Sequence, residues 1–293
     1  MSSFQQRWMS GVGLVALLLL IAYGAPAVVV CGVLIIVALR ALLEFYRLLD
    51  HQGIPSFRIL GAGFSVALIG TTWASYVFQS RLLTAEQEMF VMFGLVIAIL
   101  VRQFPQKNNA QPLATMACTL LGFLYVPFLF NYFTKLVFAW DAHGWLGTIG
   151  ATGRWLVFYL IAVVKCTDVG AFLVGRRWGR HKLIPRLSPA KTWEGVIGGV
   201  ATGLLVSLVF RWLLGSQFGY AQMLVRDALV LGLLLPVLGI FGDLTESMLK
   251  RAAKSKDTGG FIPGMGGLLD ILDSLLFAAP LMFVYAKCFL VIS

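Results

Sequence analysis

Charge is what this sequence has least of. Of its 293 residues, 12% are Asp, Glu, Lys or Arg, while 59% are hydrophobic. A water-soluble domain carries roughly 25% charged and about 45–50% apolar residues. The chain has about half the charge that a wetted surface needs, which excludes a cytosolic enzyme, a coiled coil and a disordered protein. Cysteine is also scarce. Four cysteines with no CxxC pair give neither a disulfide framework nor a metal knuckle. Cys31, Cys118 and Cys288 sit in apolar stretches as small lipid- or core-facing residues. The three histidines, His51, His143 and His181, are far apart in sequence and offer no nucleophile–His pair. Neither a GxxxxGK[ST] loop nor a GxGxxG turn occurs, so ordinary P-loop and Rossmann chemistry are unsupported.

What the chain does have is long apolar blocks, at a mean hydropathy of +0.87. About twenty apolar residues at 1.5 Å each span the roughly 30 Å of bilayer hydrocarbon. The pattern predicts an all-α integral membrane protein with about nine transmembrane helices. They fall near 11–24, 26–44, 59–78, 88–102, 113–134, 155–175, 192–214, 227–248 and 270–291. A cleaved signal peptide is loosely imitated by Arg7, the apolar run after it and Ala25-Pro26-Ala27, but no hydrophilic domain follows.

The net charge of +10 is explained by where the cations sit rather than by nucleic acid, for which no role is expected. With the N-terminus taken as cytoplasmic, Arg7, Arg40, Arg47, Arg58, Arg102, Lys107, the six cations of 176–191 and the four of 250–256 all face inside. Those sixteen stand against six outside: Arg81, Lys135, Arg154, Arg211, Arg226 and Lys287. The positive-inside rule therefore puts the N-terminus in the cytoplasm and the C-terminus outside. Residues 1–110 hold few intramembrane charges and no motif, and read as a membrane-helix region for packing or anchoring. Residues 111–293 read as the catalytic membrane region, with a cytoplasm-facing site.

Charged side chains inside spans are costly and usually functional. Lys165 and Asp168 lie one turn apart, either as a structural ion pair or with Asp168 facing a polar cavity as a cation ligand. The following stretch, Gly175 to Lys182, mixes glycines with cations including Arg176 and Lys182, which suits phosphate groups or anionic lipid. Ser188-Pro189 reads as an N-cap with Pro at the first helical position, so the next helix would present its free amides and Lys191 to an anion. Gly195, Gly199 and Gly203 repeat every fourth residue, a face for close helix packing. Asp243, Glu246 and Lys250 share one helical face, followed by Arg251, Lys256 and Asp257. After a glycine-rich turn come Asp270 and Asp273, one turn apart. Two such carboxylates repel unless a cation or a partner helix neutralises them, and hard oxygen ligands suit Mg²⁺.

The order of these motifs resembles that of the bacterial phosphatidate cytidylyltransferases. The likeness runs from Asp168-Val-Gly-Ala through Gly175-Arg-Arg-Trp-Gly-Arg-His-Lys and Ser188-Pro-Ala-Lys-Thr-Trp-Glu-Gly. It continues with Gly242-Asp-Leu-Thr-Glu-Ser-Met-Leu-Lys-Arg, Lys256-Asp257 and Ile262-Pro-Gly-x-Gly-Gly-x-x-Asp270, covering about residues 165–280 densely. Two positions depart from the family pattern: Met265 stands where its turn has His, and Ile271 where it has Arg. Neither can donate to a phosphate, so Lys250, Arg251 or Lys256 would take over.

The resemblance implies CTP + phosphatidate → CDP-diacylglycerol + pyrophosphate, at the inner cell membrane, with Mg²⁺ and optionally a second cation. It implies Asp243, Asp270, Asp168 and Asp273 as metal ligands, with Asp243, Lys250, Arg251 and Asp270 at the chemistry. Arg176, Lys182, Ser188, Lys191 and Lys256 would bind substrate, and Glu246 and Asp257 would orient the cations. A homodimer is implied by the resemblance alone. The competing readings are a CTP-dependent polyprenol kinase and, in a different class, an ion-coupled transporter using Lys165, Asp168, Asp243 and Glu246.

Overall fold

The computed structural model describes residues 25–50, 52–78, 86–106, 109–140, 147–148, 150–214, 217–218, 221–254 and 267–292. The expected first span at 11–24, and Lys256 and Asp257, lie outside the described residues. The protein is an all-α, multi-pass membrane protein. Among the described residues, seven helices are long and apolar enough to cross a bilayer. They are α1 (Ala27–Asp50), α2 (Arg58–Val77), α4 (Pro112–Phe138), α5 (Ala151–Trp178), α6 (Trp193–Leu214), α7 (Val225–Ala252) and α8 (Leu268–Phe289). An eighth helix, α3 (Glu86–Gln103), carries Glu86, Glu88 and Arg102 within its eighteen residues and is not among the seven. It still exposes Phe90, Phe93 and Ile97, an outward apolar face that suits lipid.

The chain divides into two compact units, Met1–Ile149 with Ala252–Ile271, and Gly150–Arg251 with Leu272–Ser293. In the first, Phe45 and Tyr46 of α1 fill notches left by glycines. A Cβ on Gly61 would lie 2.3 Å from the Tyr46 hydroxyl, and one on Gly122 would lie 2.6 Å from its ring. The Tyr46 hydroxyl donates to the Thr119 carbonyl at 3.0 Å, so a wholly buried phenol is satisfied. Helix α4 passes Pro127 through a π-helical turn, Leu124–Phe128, which accommodates the missing N–H and the bulk of the ring.

The first unit also holds a polar network. Lys135 Nζ lies 2.7 Å from Glu88 Oε2. Asn131 Nδ2 donates to Glu88 Oε1 and to Thr72 Oγ1, each at 2.9 Å. Glu88 is thus turned inward by two donors from α4, while the apolar side of α3 faces out.

In the second unit α5 packs against α6 along Gly195, Gly199 and Gly203, as the four-residue repeat predicts. All three are buried. A Cβ on Gly199 would stand 3.0 Å from the Thr167 carbonyl oxygen, and one on Gly195 2.9 Å from that of Ala171. Between α5 and α6 the chain is not an open loop. Strands β1 (Lys182–Ile184) and β2 (Ser188–Thr192) form an antiparallel hairpin. Short strands β3 (Gln217–Phe218), β4 (Ala221–Gln222) and β5 (Val291–Ile292) form a second antiparallel sheet.

The hairpin corrects one expectation. Ser188 lies in β2 and does not cap a helix. Helix α6 begins at Trp193, and Thr192 Oγ1 accepts the Gly195 N–H at 3.2 Å. Thr caps nearly as well as Ser, and pairing with β1 keeps residues 188–192 extended, so the helix starts one turn later. Lys191 nevertheless remains at that helix end.

Candidate active site

The site is built where α7 and α8 approach within the second unit. Gly242 makes the approach possible, because a Cβ there would lie 2.3 Å from the Asp273 carbonyl oxygen. With the backbones this close, three acids converge. One carboxylate oxygen from each of Asp243, Glu246 and Asp273 lies within 4.8 Å of the others. Glu246 is 2% exposed and Asp273 is 5% exposed, so two of the three are withdrawn from water. Such a group repels itself unless cations balance it. Lys191 Nζ lies 2.6 Å from Asp243 Oδ2, and Lys250 Nζ lies 2.9 Å from Glu246 Oε2. Two ammonium groups against three carboxylates leave one net negative charge. An all-oxygen donor set with that balance fits a hard divalent cation such as Mg²⁺.

Sequence spacing and the family resemblance together pointed at part of this group. Asp243 and Asp273 were expected as ligands, whereas Glu246 was expected to orient a cation. It does contact Lys250, and it also stands in the carboxylate group itself. Asp168 is not one of the three. Lys165 Nζ lies 3.4 Å from Asp168 Oδ2 and donates to Ser274 Oγ at 2.9 Å, while that hydroxyl reaches Asp168 at 3.3 Å. Ser274 follows Asp273 directly, so the Lys165–Asp168 pair touches the helix that supplies the third acid. Nothing in the sequence distinguished this serine from other small polar residues.

Asp270 belongs to the first unit and caps its own helix. Its Oδ2 accepts the Gly267 N–H at 2.9 Å, three residues back, as the acid of a capping box does.

The remaining expected residues that are described lie on or beside the hairpin. Arg176 is exposed on the last turn of α5, and Lys182 is exposed in β1. Arg251 Nε donates to the Leu187 carbonyl at 3.3 Å, so α7 holds the hairpin through that bond and through Lys191–Asp243. Glu194 closes the hairpin from the start of α6. It accepts the backbone N–H groups of Arg180 and His181, and its Oε1 lies 2.6 Å from His181 Nδ1. The hairpin thus presents basic side chains on a backbone tied at both ends.

Comparisons with known proteins identify relatives of the chain. The uncharacterized protein YnbB of Escherichia coli is 38% identical over 171 residues, 57% of this chain and 55% of that one. The phosphatidate cytidylyltransferase of Haemophilus influenzae is 39% identical over 128 residues, 44% of each chain. That of Bacillus subtilis is 34% identical over 169 residues, 58% of this chain and 57% of that one. The matched segments thus span about half the length of these curated relatives. The sequence model of the cytidylyltransferase family matches residues 5–289, almost the whole chain, and the chain belongs to that family.

Proposed function

We propose that the protein is a phosphatidate cytidylyltransferase, transferring the CMP moiety of CTP to phosphatidate with release of pyrophosphate. The observation that carries the reading is the Asp243, Glu246 and Asp273 carboxylate group, flanked by Lys191 and Lys250, in a chain of the cytidylyltransferase family. Three relatives of known name add support at 34–41% identity.

In this reading a phosphatidate phosphate oxygen attacks the α-phosphorus of CTP. The bond from that phosphorus to the bridging oxygen of the β-phosphate breaks, and pyrophosphate leaves. The attacking oxygen is already anionic near neutral pH, so no general base is required, in keeping with a sequence whose three histidines lie far apart. The work lies in assembling two polyanions in line. Asp243, Asp273 and Glu246 would hold Mg²⁺, with Asp270 and Asp168 completing the set of acids. Bound there, the ion supplies charge neutralisation to the triphosphate and the leaving pyrophosphate. Lys191, Lys250, Arg251 and Lys256 would hold phosphates, and Asp257 would orient them. Arg176, Lys182 and Ser188 would receive substrate at the basic hairpin.

The proposal includes nine spans in the inner membrane, the cytoplasmic N-terminus and the homodimer. Cysteine labelling from either side of the membrane checks the orientation.

The test uses protein purified in detergent with phosphatidate, labelled CTP and Mg²⁺, following CDP-diacylglycerol and pyrophosphate together. Mg²⁺-dependent product that vanishes in Asp243→Asn supports the reading. No product from folded protein overturns it, and phosphorylation of a polyprenol in its place would make the protein a kinase.

A further inference from the structure

We propose that Glu44 is a positioning residue for Asp270, fixing the first turn of α8 from a different helix. The inference deepens the cytidylyltransferase reading and rests on it for its link to catalysis. Glu44 lies on α1 within an apolar span and is 4% exposed, an expensive place for a carboxylate. Its Oε2 accepts the Leu269 N–H at 2.9 Å, across 225 residues of chain.

The bond matters because of what α8 lacks. The first N–H groups of any helix have no intrahelical partner and are normally capped by a side-chain oxygen at the residue before the helix. That residue is Gly267, which has no side chain. Leu269 is fully buried, so water cannot serve instead. Glu44 supplies the missing oxygen, with a negative charge at the positive end of the helix dipole. Asp270 supplies the reciprocal half, accepting the Gly267 N–H at 2.9 Å.

Two carboxylates therefore divide the start of α8 between them, and the orientation of Asp270 depends on a turn that Glu44 holds. Glu44 is in turn rigidly placed. Its neighbours Phe45 and Tyr46 are locked against Gly122, with Tyr46 also against Gly61. A residue in the region expected to be mere anchor is thereby joined to the turn that carries Asp270.

The experiment compares Glu44→Ala, which removes the acceptor, Glu44→Gln, which keeps an oxygen without the charge, and Glu44→Asp, which shortens the reach. Two quantities are read on full-length protein: the Mg²⁺ concentration for half-maximal CDP-diacylglycerol formation, and hydrogen exchange of the peptide containing Leu269. Loss of a hydrogen bond to a charged group should accelerate exchange at Leu269 about tenfold or more. The Mg²⁺ midpoint should rise by about the same factor in Glu44→Ala and less in Glu44→Gln, with partial recovery in Glu44→Asp. If Glu44→Ala does not fold, the isosteric Glu44→Gln carries the test. A folded variant with wild-type exchange and midpoint overturns the proposal, as does one that melts earlier while its midpoint stays unchanged. Wild-type protein that makes no CDP-diacylglycerol defeats the reaction instead, and the exchange rates then decide whether Glu44 holds α8.

Discussion

Gly242→Ala isolates the packing that assembles the carboxylates, because it alters no charge and no hydrogen-bonding group. The added Cβ would lie 2.3 Å from the Asp273 carbonyl oxygen and 3.1 Å from Ser274 Cα, both backbone atoms that cannot swing aside. Carbon–oxygen contacts settle near 3.3 Å, so α7 and α8 must part by about 1 Å. Overpacking of this kind costs about 1–3 kcal/mol. Replacing a helical glycine by alanine returns about 1 kcal/mol, leaving a net loss of about 0–2 kcal/mol. Activity should suffer far more. A 1 Å misplacement in a positioned site can cost about 100-fold, and here it falls between Asp243 and Asp273. CDP-diacylglycerol formation and thermal unfolding, measured on the same detergent preparation, give both numbers. Gly63→Ala and Gly70→Ala are the controls, since nothing lies within 4 Å of a Cβ at either position. Full activity in Gly242→Ala would refute the idea that this contact sets the geometry of the acids.

The charge balance of the same group predicts that Asp273→Asn is inactive yet melts no lower than wild type in chelator, since one of three mutually repelling carboxylates is gone; a gain of about 1 kcal/mol is the expected size. A lower melting temperature would mean that Asp273 is structurally required. Thr192→Ala should destabilise the protein by about 1 kcal/mol through loss of the α6 cap, whereas Ser188→Ala should leave stability within about 0.5 kcal/mol; equal effects would contradict the cap assignment. Lys135→Met leaves the half-buried Glu88 without its cation and should cost about 1–2 kcal/mol, less than for a fully buried pair. The double variant with Glu88→Gln should recover part of that loss, and a double variant no more stable than the single would show that the pair is not coupled.

The membrane class, eight of the helices and the glycine face of α6 were legible because each rests on a local pattern: an apolar block of bilayer length, or small residues at one helical spacing. Asp243 and Glu246 were legible as neighbours for the same reason. Their meeting with Asp273 was not, since it depends on Gly242 admitting the backbone of α8, and a glycine before an acid looks the same whether or not a helix lies against it. The start of α6 misled because Ser188-Pro189 carries a strong local cap signal, overridden by pairing with Lys182–Ile184. Glu44 and Glu88 were passed over as isolated acids in apolar surroundings. Their partners, Leu269 and Lys135, are 225 and 47 residues away, and no spacing rule reaches that far.

Helices α5 and α7 each contain 28 residues, so each is about 42 Å long, against roughly 30 Å of hydrocarbon. Asp168 and Asp243 are the eighteenth and nineteenth residues of these helices, about 27–28 Å along their axes. A helix of this kind that starts at one edge of the hydrocarbon would bring its acid to the other edge, near the level of the lipid phosphates. Withdrawing a sixteen-carbon chain from the bilayer costs about 0.8 kcal/mol per methylene, more than 10 kcal/mol for one chain and twice that for two. A site at this level spends none of that energy. In the proposed reaction a lipid would present its phosphate with both tails still dissolved, and the water-soluble partner would be the one that travels.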